Sequence, residues 1–172
     1  MRKCERCQCK IDAVARADAR FCSTRCRVAA HRSRRQRAAL PAALTDRTAW
    51  VRRVGKRPVG LDGSPASTTT PSTWSTYADA LAATAGDGVG VMLGAGLACW
   101  DLDHCLDGDR VAPWAADVLA AIDAPLWVER SMSGTGLHIF VNAAEAPGHR
   151  RDGVEFYSRH RFIAVTGDHF EP

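Results

Sequence analysis

Four cysteines near the start are spaced for metal chemistry. Cys4-x2-Cys7 and Cys22-x3-Cys26 are separated by fourteen residues. Two thiol pairs, each on a tight turn, can close a tetrahedral thiolate cage around zinc. Cys9 is a spare that could take the place of Cys7, and His31 is a weaker candidate ligand. A segment of under about 40 residues buries too little surface to fold unaided, so the metal would supply the fold. A second set lies in the other half of the chain. Asp101-Leu102-Asp103 ends the apolar run Leu97-Ala98-Cys99-Trp100. On a strand, residues i and i+2 share a face, so both carboxylates point together while Trp100 and Leu102 pack on the other side. Their mutual repulsion is relieved by a hard divalent cation, Mg²⁺ or Mn²⁺.

Two further segments could complete that site. Ser131-Met132-Ser133-Gly134-Thr135-Gly136-Leu137-His138 is a Gly/Ser/Thr turn leading into an apolar strand that carries His138. Free N–H groups in such a turn can hold phosphate oxygens, and His138 could contact a triphosphate or the incoming sugar. In Val154-Glu155-Phe156-Tyr157, Val154 and Phe156 are expected to face the core and Glu155 the opposite side. Glu155 would be a third acidic ligand, with Asp152 as the alternative.

Charge is distributed unevenly. Residues 1–57 hold 17 Lys and Arg against 4 Asp and Glu, whereas residues 58–172 hold 6 against 15. A basic head on an acidic body suggests a polyanion grip joined to a site that uses carboxylates. Arginine outnumbers lysine 20 to 3, which favours phosphate contact because guanidinium forks match phosphate oxygens. Arg27, Arg32, Arg34, Arg35 and Arg37 crowd the segment after Cys26, which has good helix propensity. No apolar run of about 18 residues predicts a membrane span. The opening Met1-Arg2-Lys3-Cys4 lacks the apolar core of a signal peptide, so a cytoplasmic location is expected.

The elements that must position these residues follow from periodicity and turn chemistry. Residues 1–37 read as a zinc-binding basic module, 38–50 as a linker, and 51–172 as a catalytic domain. A helix is expected from Pro71–Trp74 to about Ala85, ended by Gly86-Asp87-Gly88, and another over Pro113–Ile122. Strands are expected at Val89–Leu93, Leu97–Asp103, Leu126–Glu129, Leu137–Val141, Val154–Tyr157 and Phe162–Thr166. The pattern is α+β with a largely antiparallel sheet.

In their order, Asp101 and Asp103, then Gly136-Leu137-His138, then Glu155 resemble the archaeo-eukaryotic primase superfamily, specifically the bifunctional DNA primase-polymerases of phages and plasmids. Gly55-Lys56-Arg57-Pro58, Ala66-Ser67, Pro71-Ser72-Thr73-Trp74 and Arg161-Phe162-Ile163-Ala164-Val165-Thr166-Gly167 resemble the family's opening and close. The resemblance spans residues 51–170. It implies a core with a sheet like that of an RNA-recognition motif, and template-directed, two-metal nucleotidyl transfer in DNA replication. By that resemblance Asp101, Asp103 and Glu155 would hold Mg²⁺ or Mn²⁺. His138, Ser133 and Thr135 would bind the phosphates of a nucleoside triphosphate, and Lys56, Arg159 and Arg161 would touch triphosphate or template. The segment Phe21–Arg27 resembles treble-clef or zinc-ribbon modules, which would grip single-stranded DNA template through the arginines. Many relatives continue into a helical domain and a helicase; by that resemblance either those parts are separate proteins here, with a separately encoded helicase as a partner, or the chain is a reduced form. Two other readings are a non-catalytic zinc-containing DNA-binding replication protein and a metal-dependent nuclease or phosphodiesterase.

Overall fold

A computed structural model describes residues 2–16, 18–27, 30 and 39–171. The chain divides into two compact units, residues 1–38 and 39–172. The fold is α+β, and its strands pair antiparallel throughout the described sheets.

In the first unit a tight turn follows Cys4. The Cys4 amide donates to the Cys9 carbonyl (2.8 Å) and the Gln8 amide to the Cys4 carbonyl (2.9 Å). Gln8 takes the left-handed conformation, φ 59°, that such a reversal needs. Arg20 clasps both oxygens of Glu5, at 2.5 and 2.7 Å, and so ties the segments bearing the two cysteine pairs. Residues 24–27 are helical. The arginine-rich helix anticipated after Cys26, with His31, Arg32, Arg34, Arg35 and Arg37, lies outside the described residues.

The second unit begins earlier than the sequence suggested. Within the expected linker a one-turn helix, α1 (Ala42–Thr45), buries Leu44 completely, and the Trp50 indole N–H donates to the Leu44 carbonyl at 3.0 Å. Leu40 and Ala49 pack on the same core. These residues belong to the domain because their apolar side chains join its core.

The strands are β1 (Trp50–Val54), β2 (Arg57–Val59), β3 (Gly88–Met92), β4 (Leu97–Leu102), β5 (Leu106–Asp107), β6 (Arg110–Val111), β7 (Trp127–Arg130), β8 (Leu137–Asn142), β9 (His149–Arg151), β10 (Val154–Tyr157) and β11 (Phe162–Val165). Helices α2 (Tyr77–Ala82) and α3 (Pro113–Ala121) complete the set. One sheet runs β11-β3-β1-β2, the other β7-β8-β4-β10-β9, and β5-β6 is a small ribbon. β4 and β7 both run antiparallel to β8, hence parallel to each other, and α3 lies between them in sequence: a split β-α-β unit. The helix expected from Pro71 to Ala85 is two pieces, a 3-10 turn at Pro71–Thr73 and α2. Ser75 is drawn into main-chain pairing with Trp50, and Thr76 then caps α2 by accepting from the Asp79 amide.

β4 is central and covered on both faces, which is why its sequence is almost wholly apolar. Leu97 and Cys99 join a core with Trp50, Val91, Phe140 and Ile163. Ala98 and Leu102 join a second core with Ala115, Leu137, Ile139 and Phe170. Complete burial of a side chain such as Phe140 contributes about 1.5–3 kcal/mol. Gly90 in β3 is required by close approach: a Cβ there would stand 2.3 Å from the Phe162 ring and 2.5 Å from the Ile163 carbonyl oxygen. No described helix is long and apolar enough to cross a membrane.

Candidate functional site

The alternation that sends Leu97 and Cys99 into the first core also places Asp101 on that face, one step beyond the last apolar residue. Strand register does the rest. Asp101 pairs with His138 on β8 and with Glu155 on β10; His138 pairs with Glu129 on β7, and Glu155 with Arg150 on β9. One row of side chains, Glu129–His138–Asp101–Glu155–Arg150, thus crosses all five strands. Asp103 follows two residues after Asp101, its amide bonded to the Gly153 carbonyl at 2.9 Å.

Asp101, Asp103, His138, Ser133, Lys56 and Arg161 line one cleft of about 360 Å³, together with Ser131, Met132, Thr68 and His160. Of the anticipated site residues, Thr135, Glu155 and Arg159 are not among its lining residues. Thr135 instead extends a hydroxyl chain, Ser131–Ser133–Thr135, with 3.0 Å at each step. His138 is buried. Its Nδ1 lies 3.1 Å from Glu129 Oε1 and its Nε2 3.8 Å from Asp101 Oδ1.

Burial pushes the Asp101 carboxyl above its ordinary range, and the negative charges of Asp103 and Glu155 push the same way against the opposing pull of His138. Among the described residues the Asp103 carboxylate has no hydrogen-bond or ion-pair partner. Two carboxylates so placed could hold a divalent cation, which would offset their repulsion. Glu155 shares their row, but its oxygens are engaged. Arg150 Nε stands 2.7 Å from Oε1, the Tyr157 hydroxyl donates to Oε2 at 2.7 Å, and Arg161 Nη2 lies 3.7 Å from Oε2. Arg161 also lies over the Tyr157 ring, 4.3 Å from its centroid. Asp152, the alternative third acid, sits exposed at the β9–β10 turn beside Arg151, outside the cleft lining.

The raised Asp101 carboxyl has a stability consequence. The folded state retains its proton to higher pH than the unfolded chain does. Stability therefore falls as pH rises from the unfolded value through the folded one. In metal-free buffer, Asp101→Asn should melt above the parent at neutral pH, because it removes a charge that burial disfavours. The difference should vanish below the carboxylate range. Thermal melts at both pH values with chelator present check this.

In the first unit the sulfurs of Cys4, Cys7, Cys22 and Cys26 all lie within 4.8 Å of one another, the one such group of potential ligands among the described residues. Sulfurs at about 2.3 Å from a single zinc stand about 3.8 Å apart along each tetrahedral edge. The separations Cys7–Cys22, Cys22–Cys26 and Cys26–Cys7 are 3.5, 3.7 and 3.8 Å. These four could bind a metal such as zinc. Cys9 stays outside the cluster and serves through its carbonyl.

Sequence reasoning missed Glu129 and His160. Glu129 is the third residue of β7, directly after Trp127 and Val128, and a carboxylate within a short strand-like apolar segment was a signal for it. His160 has φ 51° and lines the cleft beside Arg161, a backbone outlier that no residue pattern announces. No family model and no curated protein matches this chain.

Proposed function

We propose that residues 39–172 form a DNA primase-polymerase core that transfers nucleotides onto a template-paired end, and that the zinc module with its arginines grips the template. The observation that carries this reading is convergence. Asp101, Asp103 and His138 meet in one cleft flanked by Lys56, Arg161 and the hydroxyl-rich 131–135 turn. Acids for a metal and cations for phosphates in one cleft suit a nucleoside triphosphate better than any uncharged substrate. The order β7-β8-β4-β10 with its split β-α-β unit is compatible with an RNA-recognition-motif-like sheet.

Each residue then has a role. Asp101 and Asp103 hold the divalent cations, with Glu155 beside them. When bound, these cations lower the pKa of the attacking hydroxyl and offset charge on the pyrophosphate leaving group. His138 Nε2, the Ser133 hydroxyl, Lys56 and Arg161 hold the phosphates. Arg161 is prealigned by Tyr157 and Glu155, so little of its freedom is lost on binding.

The test is incubation of the full chain with single-stranded DNA, labelled nucleoside triphosphates and Mg²⁺ or Mn²⁺. Labelled, template-dependent products are expected. DNA cleavage independent of triphosphates would instead make the site a phosphodiesterase, and binding without either product would make the protein a non-catalytic DNA binder.

The arginine segment carries its own expectation. Replacing Arg32, Arg34, Arg35 and Arg37 by alanine should weaken single-stranded DNA binding and lower the slope of log K against log salt by up to about 3. Sequence preference should be unaffected, since phosphate contacts carry no base information. Fluorescence anisotropy across a salt series measures both, and an unchanged slope would assign these arginines to solubility alone.

A further inference from the structure

We infer that Glu129 is a positioning residue that holds His138 with a proton on Nδ1 and Nε2 turned to the cleft. The inference rests on the reading of His138 as a phosphate contact for its functional consequence, though not for its geometry. Glu129 is wholly buried, yet its two oxygens face four nitrogens. Oε2 accepts from the Trp127 indole at 3.1 Å and from the Gly167 amide at 2.9 Å. Oε1 accepts from the Thr166 amide at 3.0 Å and lies 3.1 Å from His138 Nδ1.

An indole N–H and two backbone amides can only donate, so three of the four contacts require Glu129 to accept. The carboxylate is pinned from two directions, by its own strand and by the chain after β11. An acceptor fixed in this way at Nδ1 selects the Nδ1–H form of the imidazole. Nε2 is then left toward Asp101 Oδ1 and the cleft; bare, it accepts from a donor there, and with a second proton on the ring it donates to an anionic phosphate oxygen. A histidine free to rotate or exchange tautomers would lose part of its contact to that disorder. The relation parallels the way a carboxylate behind a metal-bound histidine fixes which nitrogen faces the metal.

Two measurements test the inference. Long-range proton–nitrogen spectra of the full chain with ¹⁵N-labelled histidine, assigned by difference with His138→Ala, should show a proton on His138 Nδ1. Finding Nδ1 bare and the proton on Nε2 alone would overturn the inference without need of any variant at position 129. In the second, Glu129→Gln, His138→Ala and the double variant are compared for dATP·Mg²⁺ affinity, with circular dichroism melts as a folding control. Glu129→Gln should weaken binding about 10-fold, the low end of losses from such supporting carboxylates. It should add nothing to His138→Ala, because the two act through one contact. Full additivity in folded proteins would reduce Glu129 to a packing role and overturn the inference. If the parent binds no nucleotide at all, the primase-polymerase reading fails, while the Nδ1 proton still decides the geometry.

Discussion

Asp101→Ala and Asp103→Ala should each lower nucleotide incorporation by at least about 10²–10³-fold, while the protein stays folded and bound to DNA. The two halves of that expectation have different causes. Loss of activity follows from removing an oxygen that would hold a cation at the reacting phosphate. Retention of the fold follows from what the carboxylates do without a cation. Asp101 is held by nothing closer than His138 Nε2 at 3.8 Å, and burial works against its charge. Removing a charge that burial disfavours does not unfold a domain. Glu155→Gln should behave differently, because Arg150, Tyr157 and Arg161 all lean on that carboxylate. It should weaken triphosphate binding through a displaced Arg161, and it should lower the melting temperature. Primer-extension assays with saturating triphosphate, read beside melting curves, separate these effects. Intact primer synthesis by the Asp101, Asp103 double variant would end the primase-polymerase reading of the cleft.

The residues legible in the sequence were those whose placement depends on one strand. The period of two predicts Asp101 and Asp103 together on one strand face; β4 ends at Leu102 and Asp103 lies in the turn after it, yet both line the cleft. The same rule put Glu155 with Tyr157 and against Val154 and Phe156. The row across five strands was not legible, because register between distant segments is set by packing that no local pattern reports. The β1–β2 hairpin escaped notice for a related reason. Arg52 and Arg53 interrupt its apolar pattern, and their partners are remote: Arg52 donates to the Ala80 and Ala85 carbonyls, and Arg53 pairs with Asp87. Thr135 and Arg159 looked like phosphate contacts by their neighbourhood in sequence. Thr135 turns to Ser133, and Arg159 falls on the segment between β10 and β11, away from the cleft lining. The linker was misjudged because alanine-rich composition hides how much a single leucine, Leu44, contributes when buried.

Removal of metal, or Cys22→Ser, should unfold the first unit and leave the second folded. The cysteine cluster explains why. Burial works against a thiolate at Cys4, yet the amides of Cys7, Cys22 and Arg6 overcome it and bring the group down to about 6. Cys22, hydrogen-bonded to Cys7 and Cys26, is pushed up to about 12. Four crowded sulfurs cannot all ionise without a cation, and a cation that binds them releases their protons, so its affinity should rise with pH. Zinc bound to short cysteine modules supplies on the order of 10–16 kcal/mol at neutral pH. Among its described residues the buried hydrophobic ones are Cys4 and Ile11, too little core to hold the unit, and ion pairs such as Glu5–Arg20 lie on its surface. The purified chain should therefore carry about one zinc. Chelation should collapse the amide dispersion of residues 2–27 while signals from residues 39–171 persist. Cys9→Ser should be mild, since only the Cys9 carbonyl is used and its thiol is exposed. A chelated protein that keeps the first unit's dispersed signals would show that the Glu5–Arg20 clasp and the turn at Cys4 suffice, and that the four sulfurs are neighbours without being ligands.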